Sequence, residues 1–269
     1  MKYKMIVSDL DDTLLRDDLT CDPRLKDIIA RYTASGGKFV IATGRMTSSA
    51  VPYARQLELT GEIITYQGAR VSDIVTGQIF SEIAIPYQIL AKVFRYLYDN
   101  DIYHQLYHND RILVTEITKE SLMYSNFITC DFLQLGIPLY KYVEENKLNV
   151  LKALVVDLPD KIDGHIARLN ELFSSDLIIN TSKKWIVELI LKSAGKGVAV
   201  DQLAQKYGID RSEVICIGDS ANDVSMITYA GLGICVANAS KAALDVAQYI
   251  APSNNDGAVE HVIEKFGFI

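Results

Sequence analysis

Short apolar runs alternate with amphipathic stretches at both ends of the 269-residue chain. Near the N-terminus the runs at residues 5–7, 38–42 and 62–65 predict buried strands. A helix is predicted after Asp22-Pro23-Arg24, because the apolar residues that follow have helical spacing and Ser35-Gly36-Gly37 ends them. A regular alternation of strand and helix is typical of a parallel sheet with helices on both faces. We therefore expect an α/β fold with a doubly wound, mostly parallel sheet.

The middle of the chain departs from this pattern. A hairpin is predicted around Thr76-Gly77, and the helices and paired short strands that follow it lack parallel crossovers. The alternating pattern resumes after Gly197. We therefore predict a discontinuous catalytic core of residues 1–81 and 188–269, interrupted by an inserted α+β cap domain of residues 82–187.

Three of the predicted parallel strands end in polar residues, which are Asp9 and Asp11, Thr43 and Gly44, and Asp219 with Asn222 and Asp223. Ligands of open α/β sheets bind at the carboxyl ends of the strands. A turn or helix-cap role explains any one of these aspartates, but not all three strand ends together. Asp9, Asp219 and Asp223 would gather three carboxylates in a small volume, which is unfavourable unless a hard cation neutralises them. Oxygen ligands beside a phosphate suit Mg²⁺.

Two other phosphate- or cation-binding motifs are excluded by spacing. An EF-hand counted from the first aspartate would have Leu14 at the sharp-turn glycine and Thr20 at the bidentate glutamate. Lys196 stands between glycines at a predicted helix start, where anions are favoured. It does not belong to a P-loop, because Ile190 replaces the first glycine and Gly197 the serine or threonine. Lys196 is thus a candidate anion ligand.

The overall composition limits the partners and the location that this site can have. A net charge of −7 and a pI near 5.2 argue against a nucleic-acid partner, so a small anionic substrate needs local cations. The cysteines have no CxxC spacing, and they are Cys21, Cys130, Cys216 and Cys235. No apolar run approaches the roughly 20 residues of a membrane span, and no signal-peptide pattern precedes the first strand. We expect a cytoplasmic protein without a membrane partner, as a monomer or small homo-oligomer.

Four segments resemble, in order, the motifs of the haloacid dehalogenase-like (HAD) hydrolase superfamily: residues 9–13, 43–45, 196–197 and 218–223. The insertion between the second and third motifs resembles the Cof-type phosphatases, which carry a large α/β cap. Residues 238–239 and 254–259 also match. Two positions depart from the family pattern. Gln67 stands where Asn usually precedes Gly-Ala, and Asp12 stands where Gly is common.

The resemblance implies a role for each motif. It makes Asp9 the nucleophile that attacks phosphorus to give an aspartyl-phosphate, and Asp11 the general acid and then the general base. It places Mg²⁺ on Asp9, the backbone carbonyl of Asp11, Asp219 and Asp223, the last as a direct or water-mediated ligand. It assigns the phosphoryl oxygens to Thr43, the Gly44 amide, Lys196 and Asn222. Dehalogenation is disfavoured, since superfamily members that dehalogenate lack a carboxylate at the position of Asp11.

The resulting hypothesis is a Mg²⁺-dependent phosphatase that hydrolyses small phosphomonoesters, such as sugar phosphates or related metabolites. One alternative is a phosphomutase or phosphotransferase on the same scaffold. Another is a non-catalytic, phosphorylatable receiver-type signalling domain, which leaves the second carboxylate Asp11 and the inserted domain unexplained. In the inserted cap domain, His104 and His108 share a predicted strand face, and no third metal ligand is apparent. Hydrogen-bonded or exposed histidines are therefore favoured over a metal site.

Overall fold

The structure is a computed structural model that describes residues 1–109, 111–125 and 132–269. Its strands in chain order are β1 (Met5–Ser8), β2 (Lys38–Ile41), β3 (Glu62–Thr65), β4 (Arg70–Asp73), β5 (Ile79–Glu82), β6 (His104–His108), β7 (Arg111–Val114), β8 (Phe132–Gln134), β9 (Ala153–Val156), β10 (Leu177–Asn180), β11 (Ile186–Leu191), β12 (Val214–Gly218), β13 (Leu232–Cys235) and β14 (Tyr249–Ile250). Its α-helices are α1 (Leu25–Ala34), α2 (Thr47–Gln56), α3 (Tyr87–Asp99), α4 (Lys119–Ser125), α5 (Leu139–Asn146), α6 (Pro159–Phe173), α7 (Lys196–Tyr207), α8 (Val224–Tyr229), α9 (Lys241–Leu244) and α10 (Ala258–Phe266). Within the described ranges, none of these helices is long and apolar enough to cross a membrane.

The chain forms two compact units. The first comprises Met1–Arg45, Ala50–Ser81 and Gly195–Ile269, and the second comprises Met46–Ser49 and Glu82–Ala194. The sequence placed the second boundary at residue 187. In the structure the second unit continues to Ala194, because β11 pairs antiparallel with both β9 and β10 of that unit.

The first unit is built on a five-stranded sheet of order β14-β13-β12-β1-β2, in which every pairing is parallel. Successive strand residues face opposite helix layers. Ile6 and Ile215 pack in the cluster of α1, α2 and α10, whereas Met5 and Cys216 pack in the cluster of α7 and α8. Strands buried on both faces read as continuous apolar runs, which is why the sequence pattern was recognisable. The predicted doubly wound, mostly parallel α/β fold is confirmed.

One predicted strand of the parallel sheet has a different partner. β3 pairs antiparallel with β4 in a separate three-stranded sheet of order β3-β4-β5, and a single parallel bridge between Ala42 and Ile64 links it towards β2. The tight turn Tyr66–Gly68 sends the chain straight back as β4, which takes up the hydrogen bonds of β3. The predicted hairpin over residues 71–80 is confirmed as β4 and β5.

The second unit is a sheet of order β10-β11-β9-β6-β7-β8, in which only the β7–β8 pairing is parallel among the described pairings. Apolar residues on one sheet face, such as Leu106 and Val155, pack with α3, α5 and α6. The sequence patterns missed α4, β8 and α5. Asp110, placed by the sequence in the β6–β7 turn, and Cys130 lie outside the described residues. Cys21, Cys216 and Cys235 are free thiols.

Candidate active site

Asp9 lies at the carboxyl end of β1, an inner strand of the parallel sheet that pairs with β12 and β2. Its backbone N–H donates to the carbonyl of Ile217 at 2.9 Å, so the register of β1 against β12 continues one residue past the strand. Asp9 is only 5% exposed. Since β1 and β12 run parallel, the segment after β12 emerges at the same sheet edge and brings Asp219 and Asp223 beside Asp9.

Lys196 joins two of the aspartates. Its Nζ lies 2.5 Å from Asp9 Oδ1 and 2.6 Å from Asp223 Oδ1, and the lysine is 1% exposed. It starts α7, and a Cβ on the next residue, Gly197, would lie 2.6 Å from the carbonyl oxygen of Ser225. Glycine therefore allows the start of α7 to pack closely against α8. Burial lowers the pKa of Lys196, but Asp223 and Asp9 outweigh it and hold the pKa above its ordinary value, so the ammonium stays charged.

Asp223 organises the turn after β12. Its Oδ2 accepts the backbone N–H groups of Asp219 and Ser220, each at 3.1 Å, which leaves Oδ1 for Lys196. The side chain is fully buried. A Cβ on Gly218 would lie 2.5 Å from the Cβ of Asp223, so only glycine fits there. Thr13 adds a contact from the first motif, because its Oγ1 donates to Asp219 Oδ1 at 3.3 Å.

Asp9, Asp219 and Asp223 offer carboxylate oxygens that all lie within 4.8 Å of one another. Burial raises the pKa of Asp9 to about 8, with Asp223 and Asp11 adding to the rise and Lys196 opposing it. Burial, and then Asp223 and Asp9, also raise the pKa of Asp219 well above its ordinary value. Fully ionised, three carboxylates and one ammonium leave a net charge of −2. An all-oxygen donor set with that charge fits a hard divalent cation such as Mg²⁺.

Asp11 has a different partner. Arg45 binds both oxygens of its carboxylate, with Nε 2.8 Å from Oδ2 and Nη2 2.5 Å from Oδ1. Arg45 belongs to the second motif of residues 43–45, but the interpretation of the sequence gave it no role. The Asp11 side chain therefore points to the segment of residues 43–45 after β2, and not into the cluster of carboxylates formed by Asp9, Asp219 and Asp223.

The proposed phosphoryl ligands of the second motif follow β2. The Ala42 N–H donates to the Ser8 carbonyl at 2.9 Å, so Thr43 emerges at the same sheet edge as Asp9. Thr43 is buried, and its Oγ1 accepts the Arg45 N–H at 3.1 Å. Gly44, the next residue, packs against the side chain of Gln67.

Asn222 lies in the turn between β12 and α8. Its carbonyl Oδ1 accepts a hydrogen bond from Ser220 Oγ at 2.5 Å. This bond engages the oxygen, so the amide nitrogen is the group that Asn222 can offer to a phosphoryl oxygen.

Two asparagines fasten the loop after β1 and have no role in the sequence interpretation. Asn238 Nδ2 donates to the Asp12 carbonyl at 2.9 Å, and the buried Asn254 donates through Nδ2 to the Leu15 carbonyl at 3.0 Å. The Asn254 N–H in turn donates to Asn238 Oδ1 at 3.0 Å. Asp12 has a φ of 57°, a left-handed conformation that explains why glycine is common at this position. The sequence pointed to these asparagines only because they lie in the two further segments that match the family, residues 238–239 and 254–259.

His104 of the second unit is a buried, hydrogen-bonded residue. Its Nδ1 lies 2.8 Å from the Ile102 carbonyl, and its ring centroid lies 4.7 Å from that of Phe94. Burial lowers the pKa of His104 to about 4, so the ring is neutral near pH 7. His108 contacts the Asn109 side chain at 3.1 Å. The hydrogen-bonded histidines favoured by the sequence are present.

A parallel α/β core that gathers aspartates and a buried lysine at the carboxyl ends of its strands has the architecture of a haloacid dehalogenase-like hydrolase. The model of that family matches residues 6–263 of the chain. The protein therefore belongs to the haloacid dehalogenase-like hydrolases, in the Cof-type subgroup, and is a hydrolase of the phosphatase class.

Individual relatives match over nearly the whole length. The chain is 30% identical to YxeH of Bacillus subtilis (strain 168), provisionally named a phosphatase, over 98% of both chains. It is 27% identical over 97% of both chains to YwtE of the same organism, named a 5-amino-6-(5-phospho-D-ribitylamino)uracil phosphatase. A haloacid dehalogenase-like hydrolase from Bacteroides thetaiotaomicron superposes with a TM-score of 0.84 and 26% identity, covering 98% of this chain and 99% of that one.

Proposed function

We propose that this protein is a cytoplasmic, Mg²⁺-dependent phosphatase that hydrolyses small phosphomonoesters through an aspartyl-phosphate intermediate. The observation that carries the proposal is the buried chain of contacts from Asp9 through Lys196 to Asp223, with Asp219 beside it. A nucleophilic carboxylate held by a lysine next to a cation-binding group is what phosphoryl transfer to an enzyme carboxylate requires.

In the first step, an oxygen of Asp9 forms a bond to phosphorus while the ester P–O bond breaks. Asp11 carries a proton on one oxygen in this step, while Arg45 keeps its contact with the other, and gives that proton to the departing alkoxide. Lys196, Thr43 and the amide groups at Gly44 and Asn222 orient the phosphoryl oxygens and offset their charge. This step leaves the phosphoryl group on Asp9 and an alcohol ready to depart.

In the second step, Asp11 takes a proton from water, the water oxygen attacks phosphorus, and the bond to Asp9 breaks to release inorganic phosphate. Asp9, Asp219, Asp223 and the backbone carbonyl of Asp11 would hold the divalent cation. When bound, the cation supplies charge neutralisation for the transferring phosphoryl group. The same two carboxyl groups are regenerated at the end of each turnover.

The substrate class rests on relatives and on the composition of the site. Two relatives, YwtE and YitU of Bacillus subtilis, are named phosphatases of 5-amino-6-(5-phospho-D-ribitylamino)uracil, whose phosphate is borne by a sugar-alcohol chain. The cationic and amide groups at the core site suit the phosphate that all such esters share. We propose sugar phosphates and phosphorylated sugar alcohols as the substrate class, and include that uracil derivative in the test panel.

The test is a phosphatase assay on p-nitrophenyl phosphate and a panel of phosphorylated metabolites, with Mg²⁺ and with a chelator. Turnover is expected only with the metal, and Asp9→Asn should abolish it while the protein still melts cooperatively. Near-normal activity of Asp9→Asn with Mg²⁺ would refute the mechanism. Phosphorylated sugar instead of inorganic phosphate, in the presence of an acceptor sugar, would identify a phosphotransferase or mutase. A single phosphorylation without turnover would identify a receiver-type domain.

A further inference from the structure

A strained turn connects β3 to β4 in the first unit. Its residues Tyr66, Gln67 and Gly68 have φ values of 52°, 59° and 91°, so three successive residues lie in the left-handed region. All three are buried. Tyr and Gln rarely adopt this conformation, and such strain persists only where the surroundings fix it, often at functional sites. We call residues 66–68 the Gln67 turn.

The backbone of the Gln67 turn is hydrogen-bonded to both neighbours of Gly44. The Tyr66 N–H donates to the Arg45 carbonyl at 2.9 Å, and the Gln67 N–H donates to the Thr43 carbonyl at 3.0 Å. With this backbone conformation, two successive N–H groups point at the same loop. The turn therefore holds the proposed phosphoryl-binding segment on either side of Gly44.

The side chain of Gln67 fills the space that Gly44 leaves open. A Cβ on Gly44 would lie 2.3 Å from Gln67 Nε2 and 2.8 Å from Gln67 Cδ. Gln67 is 2% exposed, so its carboxamide is enclosed and cannot move aside easily. Gln67 thus contacts Gly44 through its side chain as well as holding the adjacent carbonyl through its backbone.

The other end of the Gln67 turn packs against the segment that carries the lysine. A Cβ on Gly68 would lie 2.3 Å from the Gly195 carbonyl oxygen and 2.6 Å from the Lys196 backbone nitrogen. The two backbones are in contact here, because neither Gly68 nor Gly195 has a side chain that would separate them. One turn therefore contacts two segments that are far apart in sequence and that both serve the proposed phosphoryl site.

We infer that Gln67 is a positioning residue, and that the Gln67 turn fixes the distance between the Thr43-Gly44 segment and Lys196. The inference rests on the proposed function, in which both segments bind the transferring phosphoryl group. That group is common to every substrate. Displacement of its ligands therefore lowers the rate by the same factor whatever the leaving group, whereas a contact to the leaving group would change specificity.

The test uses Gln67→Asn and Gln67→Gly. Both residues accept a left-handed backbone, yet asparagine withdraws the carboxamide from Gly44 by one methylene and glycine removes it. We expect kcat to fall on the order of 10- to 100-fold, more for glycine than for asparagine, with little change in KM. The factor should be equal for p-nitrophenyl phosphate and for the best sugar phosphate.

Glu58→Gly is the matched control. Glu58 also has a left-handed backbone, with a φ of 55°, but its side chain is 70% exposed and lies in a surface ion pair with Lys26. Glycine relieves the same kind of backbone strain there, so the kinetics should stay at the wild-type level. Thermal melting of all three variants separates lost stability from lost positioning.

Orthovanadate and inorganic phosphate, titrated calorimetrically into the Mg²⁺-loaded proteins, separate this inference from the proposed function. Orthovanadate, which mimics the five-coordinate transition state, should bind more weakly to the Gln67 variants than to the wild type, by a factor similar to the loss in kcat, whereas inorganic phosphate, a ground-state ligand, should change little in affinity, as KM does. A wild type that binds vanadate but hydrolyses no ester refutes the proposed function, while the affinities still test the inference. Three results would each overturn the inference about Gln67. They are kinetics and affinities of Gln67→Gly equal to those of the wild type, losses in rate that differ between leaving groups, and a wild type that binds neither anion.

Discussion

Arg45 holds both oxygens of the Asp11 carboxylate, with Nε 2.8 Å from Oδ2 and Nη2 2.5 Å from Oδ1. The guanidinium also lies 4.9 Å from the centre of the Tyr53 ring, and the side chains of Arg45 and Asp11 are 14% and 22% exposed. A two-pronged contact of this kind fixes the plane of a carboxylate as well as its position. The proposed proton donor and acceptor is thus oriented by the residue that follows Gly44, a proposed phosphoryl ligand.

Replacing Arg45 should slow the hydrolysis of a substrate in proportion to the need of its leaving group for a proton. Lysine can make only one of the two contacts, and methionine makes neither. For a sugar phosphate we expect kcat/KM to fall about 10-fold in Arg45→Lys and on the order of 100-fold in Arg45→Met. The loss for p-nitrophenyl phosphate should be much smaller, since nitrophenolate departs without protonation. The ratio of the two kcat/KM values measures the effect.

Asp11→Asn is the reference for that experiment, because it removes the carboxyl group itself. It should show the same dependence on the leaving group, with a larger loss for the sugar phosphate. Equal losses on both esters in the Arg45 variants would mean that Arg45 acts on the phosphoryl group and not through Asp11.

The stability of the metal-free protein should fall as the pH rises. Burial raises the pKa of Asp9 to about 8 from 3.8 in an unperturbed carboxyl group. Between about pH 4 and pH 8 the folded state therefore holds a proton that the unfolded state has lost, and the free energy of unfolding decreases by about 1.4 kcal/mol per pH unit for one such proton. Above pH 8 this contribution stops changing. Thermal melts in a chelator across this range measure the slope.

Mg²⁺ should reverse this dependence, because it favours the ionised carboxylates. Binding near pH 7 should release on the order of one proton per ion, and calorimetric titrations in buffers of different ionisation enthalpy count it. In Asp9→Asn the proton release should fall and the pH slope of the metal-free protein should flatten. Binding of Mg²⁺ to the wild type without any proton release would show that Asp9 is already ionised.

The sequence identified the carboxylate cluster because parallel strands impose it. Asp9 and Asp219 each follow an apolar run, and the carboxyl ends of β1 and β12 meet at one edge whatever the details of packing. The same logic placed Thr43 after β2. No comparable rule connects Arg45 to Asp11, which are 34 positions apart, since an arginine in a loop can reach many partners.

The backbone conformation of the turn after β3 is the other feature that the sequence did not predict. The turn after β3 contains two non-glycine residues in the left-handed region, Tyr66 and Gln67, for which residue type gives little warning. That turn sends the chain back as β4, so β3 leaves the parallel sheet where the alternation of strand and helix had predicted it. Such a turn is fixed by tertiary contacts to Thr43 and Arg45, which a single sequence does not display.

Removal of Lys196 should destabilise the core in a manner that depends on pH and metal. Lys196→Met leaves Asp9 and Asp223 buried without their shared cation, which costs about 3–5 kcal/mol when a buried ion pair is broken from one side. The loss should be greatest above pH 8 and smaller below it, where Asp9 holds a proton. Mg²⁺ should restore part of it. Chemical unfolding with Mg²⁺ and with a chelator measures both effects.

Lys206→Met is the control on the same helix. Lys206 pairs with Glu62 at 2.5 Å, but its side chain is 41% exposed. The partner Glu62 is 7% exposed, but Tyr207 also donates to it, so this variant should lose less stability than Lys196→Met, keep its activity and respond to Mg²⁺ as the wild type does. Similar losses in the two variants would mean that Lys196 stabilises the helix and not the carboxylate cluster.

Asn254, a buried residue, fastens the loop after β1. Its Nδ2 donates at 3.0 Å to the Leu15 carbonyl and at 3.0 Å to Asp17 Oδ1, and the residue is 4% exposed. Asn254→Ala deprives the buried Leu15 carbonyl of this donor, so we expect a loss of about 1–3 kcal/mol in the free energy of unfolding. Asn255 supplies the matched control, because it accepts the Asp17 N–H at 3.2 Å from an exposed position.

Asn255→Ala should change stability by no more than about 0.5 kcal/mol. Because the loop that Asn254 fastens begins at the proposed nucleophile, Asn254→Ala should also lower kcat, and by a similar factor for all phosphate esters. Chemical unfolding and steady-state assays of the two alanine variants test both statements. Equal stability losses in the pair would show that burial of the Asn254 contact adds nothing, and unchanged kcat in Asn254→Ala would show that Asp9 is positioned by β1 and β12 alone.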